Sequence, residues 1–311
     1  MKPIRIGTRG SKLALYQAYH ISDLLAKSNL QSEIVIIETK GDRILDVAIS
    51  KIGSKGVFTE ELEIQLAEGA IDIAVHSAKD MQSSLPDGFE IIAFTEREKP
   101  NDVIISDSDT IAYRNKNQPL LLGTSSTRRV ATLRHYYPHI KTVEVRGNLQ
   151  TRIAKMESGQ CDALLLAYAG VHRMGYDHLI RHVLELDEFT PAVGQGSIAV
   201  EASSQMEGEL KASITKSVHH TDTGYCLQAE RAYLKMLDGG CSIPIFGLAT
   251  LSGDTLQLNG GIVRLDGSEK ISLSVSGEKI DAEAVGRELA HKVIAAGGDE
   301  ILKEIKSTLN K

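Results

Sequence analysis

Tryptophan is absent from this 311-residue chain, proline occurs seven times, and cysteine occurs only three times. The cysteines, Cys161, Cys226 and Cys241, are odd in number and have no CxxC spacing. This pattern argues against a disulfide framework and against a cysteine zinc site, and it fits a reducing compartment.

Long apolar runs are missing as well. The longest nearly unbroken one, residues 163–171, is about half of the roughly 20 residues that a membrane-spanning helix needs. Residues 1–5 lack the apolar segment of a signal peptide. We therefore expect a soluble, cytoplasmic protein with no membrane partner.

Low-complexity sequence is also lacking. Hydrophobic residues make up 42% of the chain and charged residues 24%. These are ordinary globular proportions, and they exclude disordered, collagen-like and long coiled-coil proteins. A chain of this length has room for two domains and a third small one.

Positive charge is scarce overall but locally concentrated. The net charge of the chain is −6, whereas residues 123–152 carry six lysines and arginines against the single acid Glu144, a local charge of +5. An acidic protein is a poor binder of bulk nucleic acid. The basic window instead predicts a small polyanionic ligand.

Strand and helix patterns alternate along the first half of the chain. Residues 4–8, 34–37 and 71–75 have strand patterns, with a helix after the first strand and another that begins at Thr59. A similar order of strand, glycine turn and strand recurs over residues 121–165. Two similar α/β lobes with parallel-rich sheets are therefore predicted.

The pattern changes after residue 219. A helix is expected at about 223–237, strands at 245–251, 255–264 and 270–275, and a last helix at about 282–296. Ser-Gly-Asp and Asp-Gly turns separate the strands, which makes them antiparallel. The sequence thus predicts a small α+β C-terminal domain with a three-stranded antiparallel sheet.

The strand at 71–75 leads into His76-Ser77-Ala78-Lys79-Asp80. Ligands of open α/β sheets bind at the carboxyl ends of strands. Asp80, beside a cation and a hydroxyl, is a candidate acid, base or stabiliser of a cation. A helix N-cap or a solvated Lys–Asp pair is the alternative, and a hydrogen-bonded core residue is the preferred interpretation of His76.

Residues 123–129, Gly-Thr-Ser-Ser-Thr-Arg-Arg, place small hydroxyl residues at the start of a predicted helix. Free N–H groups at such a terminus bind oxyanions, and guanidinium groups suit carboxylates or phosphates. Arg146 precedes the probable N-cap Asn148, and Arg152 lies one turn later, so both can turn toward the same cleft. A solvated basic face is the alternative for any one arginine.

Three other patterns bear on chemistry. Residues 51–56 contain glycines and cations but lack the G-x-x-x-x-G-K-[ST] order, which favours a mobile basic loop. His172, His178 and His182 lack the glutamate of an H-E-x-x-H helix, and no metal is expected. Cys241 follows two glycines, which favours a loop thiol that a basic cleft could activate; a buried, inert cysteine is the alternative.

Taken together, the ordered motifs resemble those of the porphobilinogen deaminases, also called hydroxymethylbilane synthases, over nearly the whole chain. Two positions depart from that family's pattern, because Tyr16 stands where tryptophan is frequent and Phe246 where a small residue is usual. The matching segments are residues 7–15, 51–58, 76–80, 123–129, 146–152, 191–196 and 230–244.

The resemblance implies an enzyme that joins four porphobilinogen molecules head to tail with loss of ammonia and then releases hydroxymethylbilane by hydrolysis. The growing chain is built on a dipyrromethane primer bound covalently to a cysteine, which Cys241 matches. Asp80 matches the carboxylate that stabilises pyrrole cations and handles protons. Each porphobilinogen carries an acetate and a propionate, so primer and chain form a small polyanion.

The resemblance also implies the fold and further site residues. Two lobes like those of type II periplasmic binding proteins are expected, at residues 1–97 with 196–213 and at 98–195, and a C-terminal domain with the cofactor cysteine at 214–311. The implied cofactor-binding residues are Lys55, Ser77, Lys79, Thr124, Ser125, Ser126, Arg128, Arg129, Arg146, Gly147, Asn148 and Gly170. The implied substrate-binding residues are Arg9, Ser11, Gln17, Phe58, Arg146, Arg152, Arg173 and Gln195.

A different kind of protein would share part of this pattern. A non-enzymatic two-lobed protein that binds a small polycarboxylate needs the lobes and the basic cleft, but neither Asp80 nor Cys241. In the enzyme interpretation, porphobilinogen is the partner, nucleic acid is not, and the chain is a monomer.

Overall fold

A computed structural model describes residues 2–39, 59–240 and 242–309. The predicted basic loop at 51–56 and the candidate residues Lys55, Phe58 and Cys241 lie outside the described residues. Thirteen strands and nine α-helices are found within the described ranges. In chain order the strands are β1 Ile4–Thr8, β2 Ser32–Ile36, β3 Ile73–Ser77, β4 Phe89–Phe94, β5 Asp102–Ile105, β6 Leu121–Gly123, β7 Lys141–Val143, β8 Ala163–Ala167, β9 Ile180–Val183, β10 Ile198–Ser203, β11 Ile245–Ser252, β12 Thr255–Val263 and β13 Lys270–Glu278. The helices are α1 Lys12–Lys27, α2 Glu60–Ala67, α3 Thr127–Tyr136, α4 Leu149–Glu157, α5 Tyr168–Arg173, α6 Gly208–Val218, α7 Thr221–Met236, α8 Ala282–Val293 and α9 Asp299–Leu309.

Two five-stranded sheets form the two α/β lobes. Their strand orders are β2-β1-β3-β10-β4 and β7-β6-β8-β5-β9. In each sheet the first three strands pair in parallel, and the fourth, β10 or β5, pairs antiparallel with both of its neighbours. The prediction of two similar lobes is confirmed. The expectation of parallel-rich sheets is wrong for half of the pairings, because β5 and β10 enter their sheets from the opposite direction after crossing between lobes.

The similarity of the lobes extends to one carboxylate in each. The backbone N–H of Arg5 donates to Asp72 Oδ2 at 2.7 Å, and that of Leu121 donates to Asp162 Oδ2 at 2.7 Å. Each aspartate therefore ties the start of one central strand to the start of its neighbour, in the same place in both sheets.

Two crossover segments, residues 95–101 and 184–197, connect the lobes. They bind each other, since Ser197 Oγ donates to the Thr95 carbonyl at 2.9 Å and the Glu98 N–H to the Gly196 carbonyl at 3.1 Å. The predicted division into domains stays a prediction. The boundary expected after residue 213 falls inside α6, whose Ile214 and Val218 pack in the core of the first lobe.

The C-terminal domain contains the three-stranded antiparallel sheet β11-β12-β13, as predicted. Helices α7 and α8 pack on it around Tyr233, which is fully buried, and Leu289. Beyond Val293 the end of α8 continues as a π-helical turn until the chain kinks at Gly297 (φ 101°), so the expected helix end near 296 is confirmed. Helix α9, which the sequence analysis missed, follows the kink.

The two departures from the family pattern lie in different surroundings. Phe246 is buried against Ala131 of α3, so it packs the C-terminal domain onto the second lobe. The Lys270 ammonium lies 5.0 Å from the centre of its ring. Tyr16 is 41% exposed on α1 and stacks on His20.

Candidate active site

Asp80 lies at the carboxyl edge of the first sheet. Buried strand β3 sits between β1 and β10, and a single 3-10 turn, Ala78–Asp80, follows it directly. The Asp80 side chain is exposed toward a cavity in the first lobe. Polar residues that line this cavity are Arg9, Ser11, Gln17, Thr59, His76, Ser77 and Asp80.

Helix α1 forms one wall of this cavity. Ser11 is its N-cap and accepts the N–H of Ala14 at 3.3 Å. One turn later, buried Gln17 donates from Nε2 to Ser77 Oγ at 2.8 Å. Gln17 and Ser77, both predicted to bind ligand, therefore also bind each other and fix α1 against the strand that carries Asp80.

The N-terminus of α3 contributes to the second lobe's side of the cleft. Buried Thr124 accepts the Ser126 N–H at 3.3 Å, and Ser125 beside them is half-buried. Ser126 is the N-cap of α3, but its side chain makes no capping hydrogen bond. Its hydroxyl is therefore not used by the helix.

The loop before α4 is held in a glycine-specific conformation. Gly147 has φ 116°, and a Cβ there would lie 2.7 Å from the Thr151 side chain. Asn148 caps α4 by accepting the Thr151 N–H at 2.9 Å. Arg152 Nε donates to the Gly147 carbonyl at 2.7 Å, and Arg146 Nε lies 3.9 Å from Glu144 Oε1. The loop thus sets the direction of two predicted anion-binding arginines.

Arg128 and Arg129 are buried, and both contact Asp102, a residue that the sequence analysis did not single out. Arg128 Nη2 donates to Asp102 Oδ2 at 2.8 Å, and Arg129 Nη2 to Asp102 Oδ1 at 2.7 Å. The alternative of a solvated basic face is wrong for these two arginines, because each is only 5% exposed. The nearest sequence signal was an acid placed directly before the apolar run 103–105.

Gln195, Arg173 and Gly170 lie where the lobes meet. Gln195 Nε2 donates to the Pro100 carbonyl at 2.6 Å and to Asp102 Oδ1 at 2.9 Å. Arg173 Nη2 donates to the Gly196 carbonyl at 2.7 Å. A Cβ on Gly170 would lie 3.7 Å from Leu13 of α1, so α5 and α1 approach closely across the lobe boundary.

Charges from both lobes act on one another across the cleft. Burial and the positive charge of Arg129 lower the pKa of Arg152, on α4, to about 10. The carboxylate of Asp80, on the first lobe, opposes that shift. Burial also lowers the pKa of Lys79 to about 8, again opposed by Asp80. The site therefore combines several desolvated cations with one exposed carboxylate.

The cysteines differ in what the structure says of them. Cys161 and Cys226 are buried, and burial raises the pKa of both thiols, that of Cys226 to about 11. Thiols of this kind are poor nucleophiles. Cys241 lies between Gly240 and Ser242, outside the described residues.

The part of the chain that the structure describes holds no cluster of three or more histidines, cysteines or acids arranged to bind a metal ion. No helix within residues 2–39, 59–240 or 242–309 is long and apolar enough to cross a membrane.

Comparison with protein families decides what this site belongs to. Residues 4–211 match the family model described as porphobilinogen deaminase, dipyromethane cofactor binding domain. Residues 224–295 match the model for the porphobilinogen deaminase C-terminal domain. The chain belongs to the porphobilinogen deaminase family. The resemblance in the sequence motifs is thereby confirmed, and so is the dipyrromethane cofactor as the ligand of the matched domain.

Porphobilinogen deaminases from several bacteria are similar over their full length. The protein from Desulfosudis oleivorans is 54% identical over 303 residues, which are 97% of this chain and 98% of that protein. The one from Cytophaga hutchinsonii is 54% identical over 310 residues, 100% of this chain and 99% of that protein. The chain is thus related to enzymes along its whole length.

Solved structures outside the family are more distantly similar. The periplasmic VFT2 domain of Bordetella pertussis BvgS is 16% identical, with a TM-score of 0.43, over 69% of this chain and 86% of that one. A TRAP periplasmic solute binding protein from Desulfovibrio salexigens is 9% identical, with a TM-score of 0.41, over 69% and 71%.

Proposed function

We propose that this member of the family acts as a transferase, a hydroxymethylbilane synthase, which condenses four porphobilinogen molecules head to tail and releases ammonia and hydroxymethylbilane. The observation that carries the proposal is the cleft itself, where the exposed carboxylate of Asp80 acts on two desolvated cations, its neighbour Lys79 and Arg152 on the opposite lobe. Such a site suits a ligand that has cationic reaction states and many carboxylates. We further propose that the enzyme is a cytoplasmic monomer.

The residues present fit a dipyrromethane. Arg128 Nε and Arg129 Nε are buried and have no hydrogen-bond partner in the described protein. Buried donors of this kind are costly unless a ligand satisfies them. Ser126, Asn148 and the two arginines would hold the carboxylates, with Cys241 as the point of attachment. When bound, the group supplies a pyrrole α-carbon nucleophile.

Asp80 would then act on the pyrrole rings. Its carboxylate can accept hydrogen bonds from the ring N–H groups. It can also stabilise the positive charge that develops in the transition state of condensation. The same carboxylate would take the proton lost when a ring regains aromaticity. Arg9 and Ser11, which line the same cavity, would hold the incoming substrate's carboxylates.

Intact mass of the purified chain tests this function. We expect the wild type to carry the added mass of two linked pyrrole rings and to consume porphobilinogen. Cys241→Ser should have the bare mass of its sequence and no turnover, while Cys226→Ser, which removes a buried thiol, should keep both. A wild-type chain with bare mass and no turnover would instead indicate the polycarboxylate-binding protein.

A further inference from the structure

Asp102 accepts hydrogen bonds from three predicted site residues, yet it does not line the cavity beside Asp80. It is fully buried at the start of β5, immediately after the first crossover segment. Its oxygens accept hydrogen bonds from Arg128, Arg129 and Gln195 at 2.7 to 2.9 Å. One carboxylate thus collects donors from α3 and from the second crossover segment.

The arrangement leaves each arginine only one orientation. Arg128 Nη1 donates to the Thr190 carbonyl at 3.0 Å, and Arg129 Nη1 donates to the Leu165 carbonyl at 3.1 Å. With Nη2 held by Asp102, two corners of each guanidinium are fixed, and the third corner, Nε, is the buried donor without a partner. The carboxylate therefore determines where both unpartnered donors lie.

The local charge balance also leaves room for a ligand. The positive charges of Lys79, Arg128 and Arg129 act on one another and on Asp102. The two arginines hold the pKa of Asp102 well below its usual range although burial alone would raise it, so Asp102 is ionised. Asp80, which also acts on Lys79, supplies a second negative charge. Two negative charges cannot neutralise three positive ones, and the excess is available to an anion.

We propose that Asp102 is a positioning residue for the cofactor: it aims the guanidinium groups of Arg128 and Arg129 and so makes loading of the dipyrromethane possible without touching it. The proposal rests on the proposed function. In this role, a carboxylate of the protein itself orients the arginines that bind the carboxylates of the ligand.

Asp102→Asn tests the role because it keeps size and shape. Whichever way the amide turns, its NH₂ group faces a guanidinium N–H, so one arginine loses its anchor. The matched control is Glu230→Gln, which alters another fully buried carboxylate bound to an arginine, Arg97. Glu230 does not line the Asp80 cavity or contact Arg128 or Arg129. Both variants should lose stability, but only Asp102→Asn should change the orientation of the Arg128 or Arg129 guanidinium group.

The measurement is the rate at which bare chain, produced without porphobilinogen, gains the two-ring mass on adding porphobilinogen, well below each variant's Tm. We expect Asp102→Asn to raise the half-saturating concentration about tenfold, the usual effect of losing a charge-assisted hydrogen bond. Glu230→Gln should leave the half-saturating concentration unchanged and lower only the fraction of chain that gains the mass, because it affects stability alone.

Three outcomes would overturn the inference. Asp102→Asn could load with the wild-type half-saturation, which would make Asp102 purely structural. It could load the two-ring group at lower porphobilinogen concentrations than the wild type, which would show that the negative charge of Asp102, and not the orientation it gives the arginines, controls loading. It could also change in the same way as Glu230→Gln. Failure of the wild-type chain itself to gain the mass would instead count against the proposed function.

Discussion

Asp80 is the residue on which the proposed chemistry depends most directly. Asp80→Asn should slow condensation by about 10²-fold or more, the typical loss when a group that stabilises transition-state charge is removed. Binding should persist, because the arginines and serines that face the ligand are unchanged. Single-turnover consumption of porphobilinogen, measured on enzyme that already carries its primer, gives the rate.

Asp87→Asn is the matched control for that variant. Asp87 is an exposed carboxylate on the same lobe, seven residues further along the chain. Its replacement should leave the rate within the error of the wild type. Near-normal condensation by Asp80→Asn would contradict the role assigned to its charge.

The role of the arginines could be predicted from the sequence only in part. Their clustering in residues 123–152 predicted affinity for anions, and the electrostatics of the cleft agree with that. Sequence spacing could not reveal that Arg128 and Arg129 first bind an anion of the protein itself, because Asp102 lies 26 residues before Arg128 and reaches it through the sheet. Pairings of this range depend on strand order.

Helix α2 carries a carboxyl group whose burial has a measurable pH signature. Burial raises the pKa of Glu63 above its ordinary 4.5, and the nearby charge of Glu201 adds to the shift. The folded state therefore holds this proton more tightly than the unfolded state, so stability falls as pH rises from 4.5 through the folded pKa. Glu63→Gln should have a higher Tm than the wild type at pH 8.

The difference in Tm must disappear in acid, where Glu63 is protonated and uncharged in both the folded and the unfolded state. At pH 4 the Tm of Glu63→Gln should match that of the wild type. Glu68→Gln, an exposed change at the C-cap of the same helix, should follow the wild type at both pH values, because Glu68 does not contribute to the Glu63 shift. A Glu63→Gln chain less stable than the wild type at pH 8 would mean that Glu63 is ionised without penalty.

Elements were predictable where their signal is local. The strands predicted at 4–8 and 245–251 and the N-cap position at Thr59 follow from nearby residues. The structure has the first strand and the N-cap there, and it extends the second strand by one residue, to Ser252. Helix α9 was missed although Ile301, Leu302 and Ile305 have helical spacing. The place of β10 was implied only by family resemblance, since a strand's partner is set by long-range packing.

At the scale of the whole molecule, one buried ion pair joins three parts. Glu230 of α7 accepts two bonds from Arg97 in the first crossover, at 2.7 and 3.0 Å. It also accepts the N–H of Gly194 in the second crossover and of Ala249 in β11, each at 2.8 Å. The C-terminal domain is thereby fastened to both connections between the lobes.

Arg97→Leu should destabilise the fold by about 3–5 kcal/mol, because it leaves the Glu230 carboxylate buried without its counter-charge. Urea denaturation followed by circular dichroism measures the loss. Arg287→Ala breaks an exposed pair with Glu283 and should cost no more than about 0.5 kcal/mol. Equal losses in the two variants would show that the buried pair does not hold the domains together.

The crossing of the chain between lobes has a consequence for synthesis on the ribosome. Strand β10 lies between β3 and β4 in the first sheet, yet it is translated roughly 100 residues after β4. Until then the nascent first lobe lacks a central strand, and β3 exposes an unpaired edge, which invites pairing with other chains. The second lobe, with all five of its strands between residues 102 and 183, can close its sheet first. The second lobe, although encoded later, can thus complete its sheet before the first lobe does. The first lobe, which carries Asp80, is completed only when β10 arrives.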